Sequence, residues 1–296
     1  MQLDIFNDNR DVMLRNDVLQ ALQQQDASLA QSDWLALRRD YPEDEFLARA
    51  QVLLDALQAR DQHDTAFDSH AALQSARGAL LALIEPAAQR LMGRESAALW
   101  LRPFWRRLIE RAARLPFDAE FELAHAAPMR LHIDDWQGAL EAVAAIESWR
   151  HRPAALAWMV QAKLQLHGLP ASWPLLAELA WLSPKRLEAL IQASPEPTLQ
   201  RLKDQFDARF EPDGEGADAA LDLVWFPAWV LVEQPRHLAD LARAQPALHS
   251  APEQAMRLLV NLLGLERQGR HHEIVRLRKS LRDLHRGLYA AYMTTR

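Results

Sequence analysis

None of the 296 residues is cysteine. That excludes a disulfide framework, thiol chemistry and a Cys-ligated zinc site, and it fits a reducing cytosol. No stretch approaches the roughly 20 uninterrupted apolar residues that a membrane-spanning helix needs. The most apolar run, residues 223–232 (LVWFPAWVLV), is too short and carries Pro227. The start, MQLDIFNDNRD, has no basic region followed by an apolar one, so no secretory signal is expected. No segment sets several β-branched residues in alternation between turn signals, which argues against sheets. GxGxxG, P-loop, GxSxG and HExxH patterns are also missing, which removes the common nucleotide, acyl-transfer and zinc-protease signatures. A soluble cytoplasmic protein without membrane attachment is expected.

What is present is an ordinary folded composition, 49% hydrophobic and 25% charged. The formal net charge of -6 hides an asymmetry. Residues 1–75 hold 14 Asp and Glu against 6 Arg, whereas residues 253–296 hold 9 Lys and Arg against 4 acids. One acidic and one basic end point to charged partner surfaces, or to the two ends facing each other in an assembly.

Periodicity predicts helices throughout. Val12, Leu14, Val18, Leu19, Ala21 and Leu22 form one apolar stripe, and Ala30, Trp34 and Leu37 form the next, ahead of Pro42. A third helix covers 43–57. Helices are expected over 71–84 and 86–92, and residues 95–115 read as two helices or one kinked at Pro103. Residues 117–133 read either as two short strands or as the helix that pairs with 136–149; the helix is the preferred reading. Beyond Pro153 come helices over 154–167, 173–182, 184–192, 198–210, 218–233, 235–244, 252–267 and 271–293. The helix over 252–267 looks apolar nearly all round and hence buried. The last one carries a seam at Ile274, Leu277, Leu281, Leu284, Leu288 and Ala291, with Arg278, Lys279, Arg282 and Arg286 on other faces. The division expected is 1–60 (a hairpin and its capping helix), 61–210 (a central helical-repeat region), 211–217 (an EPDGEGA linker) and 218–296 (a C-terminal region ending in the basic helix).

Residues 134–153, DDWQGALEAVAAIESWRHRP, place small Ala139 before Val143 and Ile146 and then stop at a proline. The small residue lets a paired helix approach, and the larger two fill the groove beside it. Ala30, Trp34 and Leu37 repeat that spacing, and residues 274–281 follow it in part. These segments, at most about a third of the chain, resemble the second helix of the tetratricopeptide-type helical hairpin. The resemblance implies an all-α fold, an irregular α-solenoid of antiparallel helical hairpins. It also implies a role in binding a peptide or protein, without naming one.

Candidate chemistry is sparse. Glu122-x-x-His125 has the spacing that puts a carboxylate and an imidazole on one helical face, as in di-iron bundles, but no second such pair occurs. His271-His272-Glu273 reads as a helix start and Asp134-Asp135 as an N-cap rather than an acid–base pair. No catalytic residue, cofactor or metal is therefore expected. Candidate partner-binding residues are the basic face Arg278, Lys279, Arg282 and Arg286, and the crowded tryptophans Trp149, Trp158, Trp173 and Trp181. The function expected is a non-catalytic protein-interaction scaffold or adaptor. The alternatives are an enzyme whose site gathers dispersed residues such as Glu122, His125, Asp134, Asp135 and His167, and a nucleic-acid-associated regulator using the basic C-terminal helix.

Overall fold

The computed structural model describes residues 10–62, 69–211, 222–246, 248–268 and 271–295, with residues 61, 62, 267, 268 and 271 described for their backbone alone. Among the described residues every regular element is helical, as the periodicity predicts. The chain divides into two compact units at 134/135, inside the segment that the sequence marks as one central region. The expected linker, 211–217, lies outside the described residues apart from Glu211.

In the first unit, α1 (Arg10–Gln23) and α2 (Ala27–Asp40) form a hairpin. Gln25 turns the chain in the left-handed region (φ 57°), and the Asp26 carboxylate accepts the Leu29 N–H at 2.9 Å, satisfying one of the orphan donors at the α2 start. Val18, Ala21 and Leu22 face Ala30, Trp34 and Leu37 in the interior. Helix α3 (Glu45–Gln62) covers the hairpin through Leu47, Ala50, Leu53, Leu54 and Leu57, and its Leu47 carbonyl accepts the Trp34 indole N–H at 3.1 Å.

Residues 70–92 form one continuous helical path instead of two helices: α4 (His70–Ala79), a π-turn over Leu80–Ile84, and α5 (Glu85–Met92). The cause is Pro86, which has no N–H and whose ring would meet the carbonyl four residues back. Opening one turn to the wider i→i−5 pattern, with the Glu85 N–H on the Leu80 carbonyl, makes room without breaking the helix. Gly93 (φ 79°) then reverses the chain into α6 (Arg94–Ala112), a single helix despite Pro103. The indole of Trp100 donates to the Leu22 carbonyl at 2.6 Å and so ties α6 to the first hairpin.

Residues 117–133 are neither two strands nor one helix. They make a 3-10 turn (Glu122–Ala124) and a short α7 (Ala126–His132), which packs on α6. The expected pairing with 136–149 is therefore corrected. The partner of α8 (Trp136–Ala144) is the helix that follows it, α9 (Pro153–Leu182).

In the second unit, Asp135 caps α8 by accepting the Gly138 N–H at 3.0 Å. Helix α8 ends at Ala145, ahead of a left-handed Ser148 and a 3-10 turn at Trp149–His151. Ala139, Val143 and Ile146 are buried, as their spacing predicts. Helix α9 is broken at Gly168 (φ 73°), and α10 (Pro184–Ala193) and α11 (Pro197–Arg209) follow. The 3-10 turn Leu223–Trp225 leads into α12 (Phe226–Glu233), whose residues Phe226–Val232 are all buried. A helix apolar on every side has to be surrounded. Indeed α12 packs against α9, α11, α14 (Ala251–Gln268) and α16 (Arg286–Thr294), with Phe206 edge-on to Phe226 and Trp229. The fully buried role expected of 252–267 thus belongs to α12; α14 buries one face, through Ala255, Met256, Leu259, Leu262 and Leu263, while Asn261 is exposed. The short α13 (Leu238–Leu241) and α15 (His271–Leu284) complete the unit.

Ala139 is fully buried at the α8–α9 packing, so Ala139→Leu is expected to overpack it and lower stability by about 1–3 kcal/mol. Denaturant unfolding measures this, and an unchanged midpoint would remove the close-approach reading of that helix pair.

Candidate partner-binding surface

The basic C-terminal helix expected over 271–293 is two helices. His285 leaves the helical region (φ −159°, ψ 111°), its N–H closing α15 on the Leu281 carbonyl at 3.0 Å. Its Nδ1 then accepts the Leu288 N–H at 3.0 Å and caps α16. The ring is buried beside Trp225 (centroids 4.4 Å apart) and Phe210 (5.2 Å). Gly287 is required at this restart, because a Cβ there would come 3.0 Å from the Glu211 carbonyl and 3.3 Å from His285 Cε1. Half of the seam is buried across the break, at Ile274, Leu281 and Leu288, while Leu277, Leu284 and Ala291 are half-buried; Tyr292, outside the seam, is buried as well, and α15 and α16 pack against α14 and α12 respectively.

Arg278 does not face outward. Its guanidinium donates to Glu266 at 3.1 Å and to the Tyr292 hydroxyl at 3.2 Å, and lies 5.5 Å from the Tyr292 ring centroid. The Tyr292 hydroxyl also donates to Glu266. The hydrogen bond to Tyr292, and then Glu266, hold Arg278 above its ordinary pKa. Burial, reinforced by the Glu266 bond, raises that of Tyr292. This cluster joins α14, α15 and α16 around one carboxylate.

The cations that do face solvent are Lys279, Arg282 and Arg286, joined by Arg276, which the sequence pattern alone does not single out. Arg276, Lys279 and Arg282 fall within about a third of the circumference of α15, and Arg286 follows on α16 beyond the break at His285. Val275, 68% exposed, lies beside them. Arg282 reaches Asp283 only at 3.5 Å, with both side chains more than half exposed, so this contact holds little energy. Arg276 stands three residues before Lys279, but the regular 278–282–286 row, each step a bare four, is the more conspicuous pattern and passes over it.

The tryptophans do not form a lining. Trp158, Trp173 and Trp181 are buried inside the second unit, and only Trp149 keeps part of its surface outside, under the Arg150 guanidinium (4.9 Å). Burial follows from their positions on α9, most of whose surface is covered. Arg150 in turn holds both oxygens of buried Glu178, at 2.7 and 2.8 Å, and the Gln245 N–H adds a third bond at 2.9 Å. Burial raises the Glu178 pKa against the pull of the Gln245 N–H and Arg150. The arrangement anchors the loop before α14 to α9.

The remaining candidates do not converge. Glu122 and His125 sit on a 3-10 turn and its cap, not on one helical face, and His125 Nδ1 accepts the Ala127 N–H at 3.1 Å to start α7. Burial, with His70 nearby, lowers the His125 pKa to about 4. Asp135 is an N-cap, Asp134 occupies a left-handed turn (φ 60°), and His167 is exposed. His272 is exposed, while the His271 side chain lies outside the described residues. No group of three or more His, Asp or Glu suited to a metal occurs among the described residues.

Two measurements check this geometry. Arg278→Glu, which faces a new charge toward Glu266, is expected to cost about 1–3 kcal/mol. Lys279→Glu or Arg282→Glu should stay within about 0.5 kcal/mol of the parent; equal losses at all three positions would contradict the inward turn of Arg278. For His125, the unfolded chain takes up a proton near the ordinary value of 6.5 and the folded chain only near 4. Its stabilisation is therefore complete above pH 6.5 and lost as pH falls toward 4, a change on the order of 3 kcal/mol. His125→Asn, which can cap without titrating in that range, should lose less stability than the parent between pH 7 and 4.

No family model matches the chain, and neither does any curated protein or solved structure.

Proposed function

We propose that the protein is a non-catalytic interaction scaffold of the cytoplasm that docks an acidic partner protein on the outer face of α15 and the start of α16. The observation that carries this reading is the exposed cations Arg276, Lys279 and Arg282 of α15 and Arg286 of α16, with Val275 exposed among them, on helices whose opposite face is already committed to α12 and α14. A cationic line flanking an apolar side chain suits an acidic, partly apolar protein segment, since charge steers the encounter and the apolar contact is desolvated. The buried small–large–large sets Ala30, Trp34, Leu37 and Ala139, Val143, Ile146 support the further reading that the hairpins are irregular tetratricopeptide-like pairs in a solenoid-type array.

A nucleic-acid backbone is the second reading, favoured by the step of three residues between the cations of α15, a rise of roughly 4.5 Å along a helix. Asp283, exposed among the same cations, weighs against it.

Affinity capture from the native host with the parent and with a Lys279→Glu, Arg282→Glu double variant separates these readings. The variant should keep the parent's melting midpoint and lose partners that carry acidic segments. Retention of every partner at low salt would overturn the proposal. Loss of duplex DNA or RNA binding that itself falls steeply with salt would favour the second reading instead.

A further inference from the structure

The hairpin of α1 and α2 carries negative charge that it does not neutralise itself. Its cations are engaged locally: Arg10 and Arg39 pair with Asp40, Arg15 pairs with Asp11 and Asp44, and the Arg38 guanidinium lies 5.1 Å from the Trp34 ring centroid. Asp17 of α1, exposed, and Asp33 of α2, half-buried, have no cation paired with them among the described residues. They stand close enough across the hairpin that burial, together with the like charge of Asp17, raises the Asp33 pKa. A cation laid over two such carboxylates relieves their repulsion. Met13, 64% exposed, precedes Asp17 by one helical turn, and Leu29, 45% exposed, precedes Asp33 by one turn. Each carboxylate therefore has an apolar neighbour on its own face.

The outer face of α15 has the opposite composition, with exposed Arg276, Lys279 and Arg282 and the 68% exposed Val275 among them. Arg276 and Arg282 stand six residues apart, a rise of about 9 Å along the helix. The axes of packed helices such as α1 and α2 lie about 8–10 Å apart. A helix crossing the hairpin can thus set one end of the cationic trio over Asp17 and the other over Asp33. Exposed charges steer such an encounter, and Val275 against Met13 or Leu29 supplies the apolar contact.

We propose that the acidic partner of the α15 face is a second copy of this chain, docked through Asp17, Asp33, Met13 and Leu29 of its α1–α2 hairpin. The inference rests on the reading of that face as a dock for an acidic protein, and it names the occupant. Such a contact is heterologous, joining one patch of one copy to a different patch of the next. One helix laid across two buries little area, so the association is weak and depends on concentration.

Sedimentation equilibrium of the full chain at low salt tests it. The average mass should rise above 33.7 kDa as the concentration passes about 10–100 μM, and return to that value in about 0.5 M salt. A Lys279→Glu, Arg282→Glu variant and an Asp17→Lys, Asp33→Asn variant should each self-associate about tenfold or more weakly than the parent. An equimolar mixture of the two should associate again, because the unaltered hairpin of the first meets the unaltered α15 of the second. Both variants stay net negative, so general attraction does not bring them together. Parent-like melting midpoints in dilute solution identify the variants that fold, and Asp17→Lys alone, at an exposed position, decides if the hairpin double variant does not. A parent that stays monomeric up to about 1 mM, association untouched by either folded variant, or a mixture that stays monomeric would each overturn the inference. If the parent is monomeric and the Lys279→Glu, Arg282→Glu variant still loses captured partners, another acidic protein occupies α15: the scaffold reading stands and this inference falls.

Discussion

Close approach of helices at alanine is the constraint on which both units depend. Ala21, Ala30, Ala50, Ala88, Ala97, Ala139, Ala154 and Ala155 are fully buried, each on a helix that packs against another. A side chain that ends at Cβ brings two backbones together, and dispersion and apolar burial then act over the larger residues beside the contact. The rest follows from that geometry. Several of the polar groups buried beside these contacts serve helix ends or indole–carbonyl ties such as Trp34 to Leu47 and Trp100 to Leu22, and Glu178, buried within α9, is held by Arg150 and the Gln245 N–H.

Helix ends are the second recurring problem, and the chain solves it with an unusual range of groups. Asp26 and Asp135 cap in the common way. His125 and His285 do the same work through an imidazole Nδ1, which requires that nitrogen to be unprotonated. The two histidines therefore sit where local structure changes direction: one opens α7, the other splits the basic C-terminal segment and lets α16 fold back onto α12.

What is legible in the sequence depends on the range of the interaction. Apolar spacing within one helix is local, and by itself it assigns Ala30, Trp34, Leu37, Ala139, Val143, Leu281 and Leu288 to the interior, where all seven are buried. Proline is a less direct mark: Pro86 widens a turn and Pro103 is accommodated within α6, because packing on neighbouring helices outweighs the local penalty. The split at His285 leaves no sign in the seam, since Leu281 and Leu288 stay buried on either side of it; Gly287 is its one local mark. The crowding of Trp149, Trp158, Trp173 and Trp181 does not by itself tell a core from a groove, because an indole fits both. Arg278 escapes a local reading for a related reason. A row of cations at a spacing of four looks like one solvated face, and only the approach of Glu266 and Tyr292 from other helices turns one member inward.

That inward turn fixes which cations are left to meet a partner. A double-mutant cycle between Arg278 and Glu266, followed by denaturant unfolding, measures it most directly. The geometry predicts a favourable coupling of about 0.5–3 kcal/mol for this pair and almost none for Lys279 with Glu266. Coupling absent at Arg278, or equal at both positions, would contradict the account.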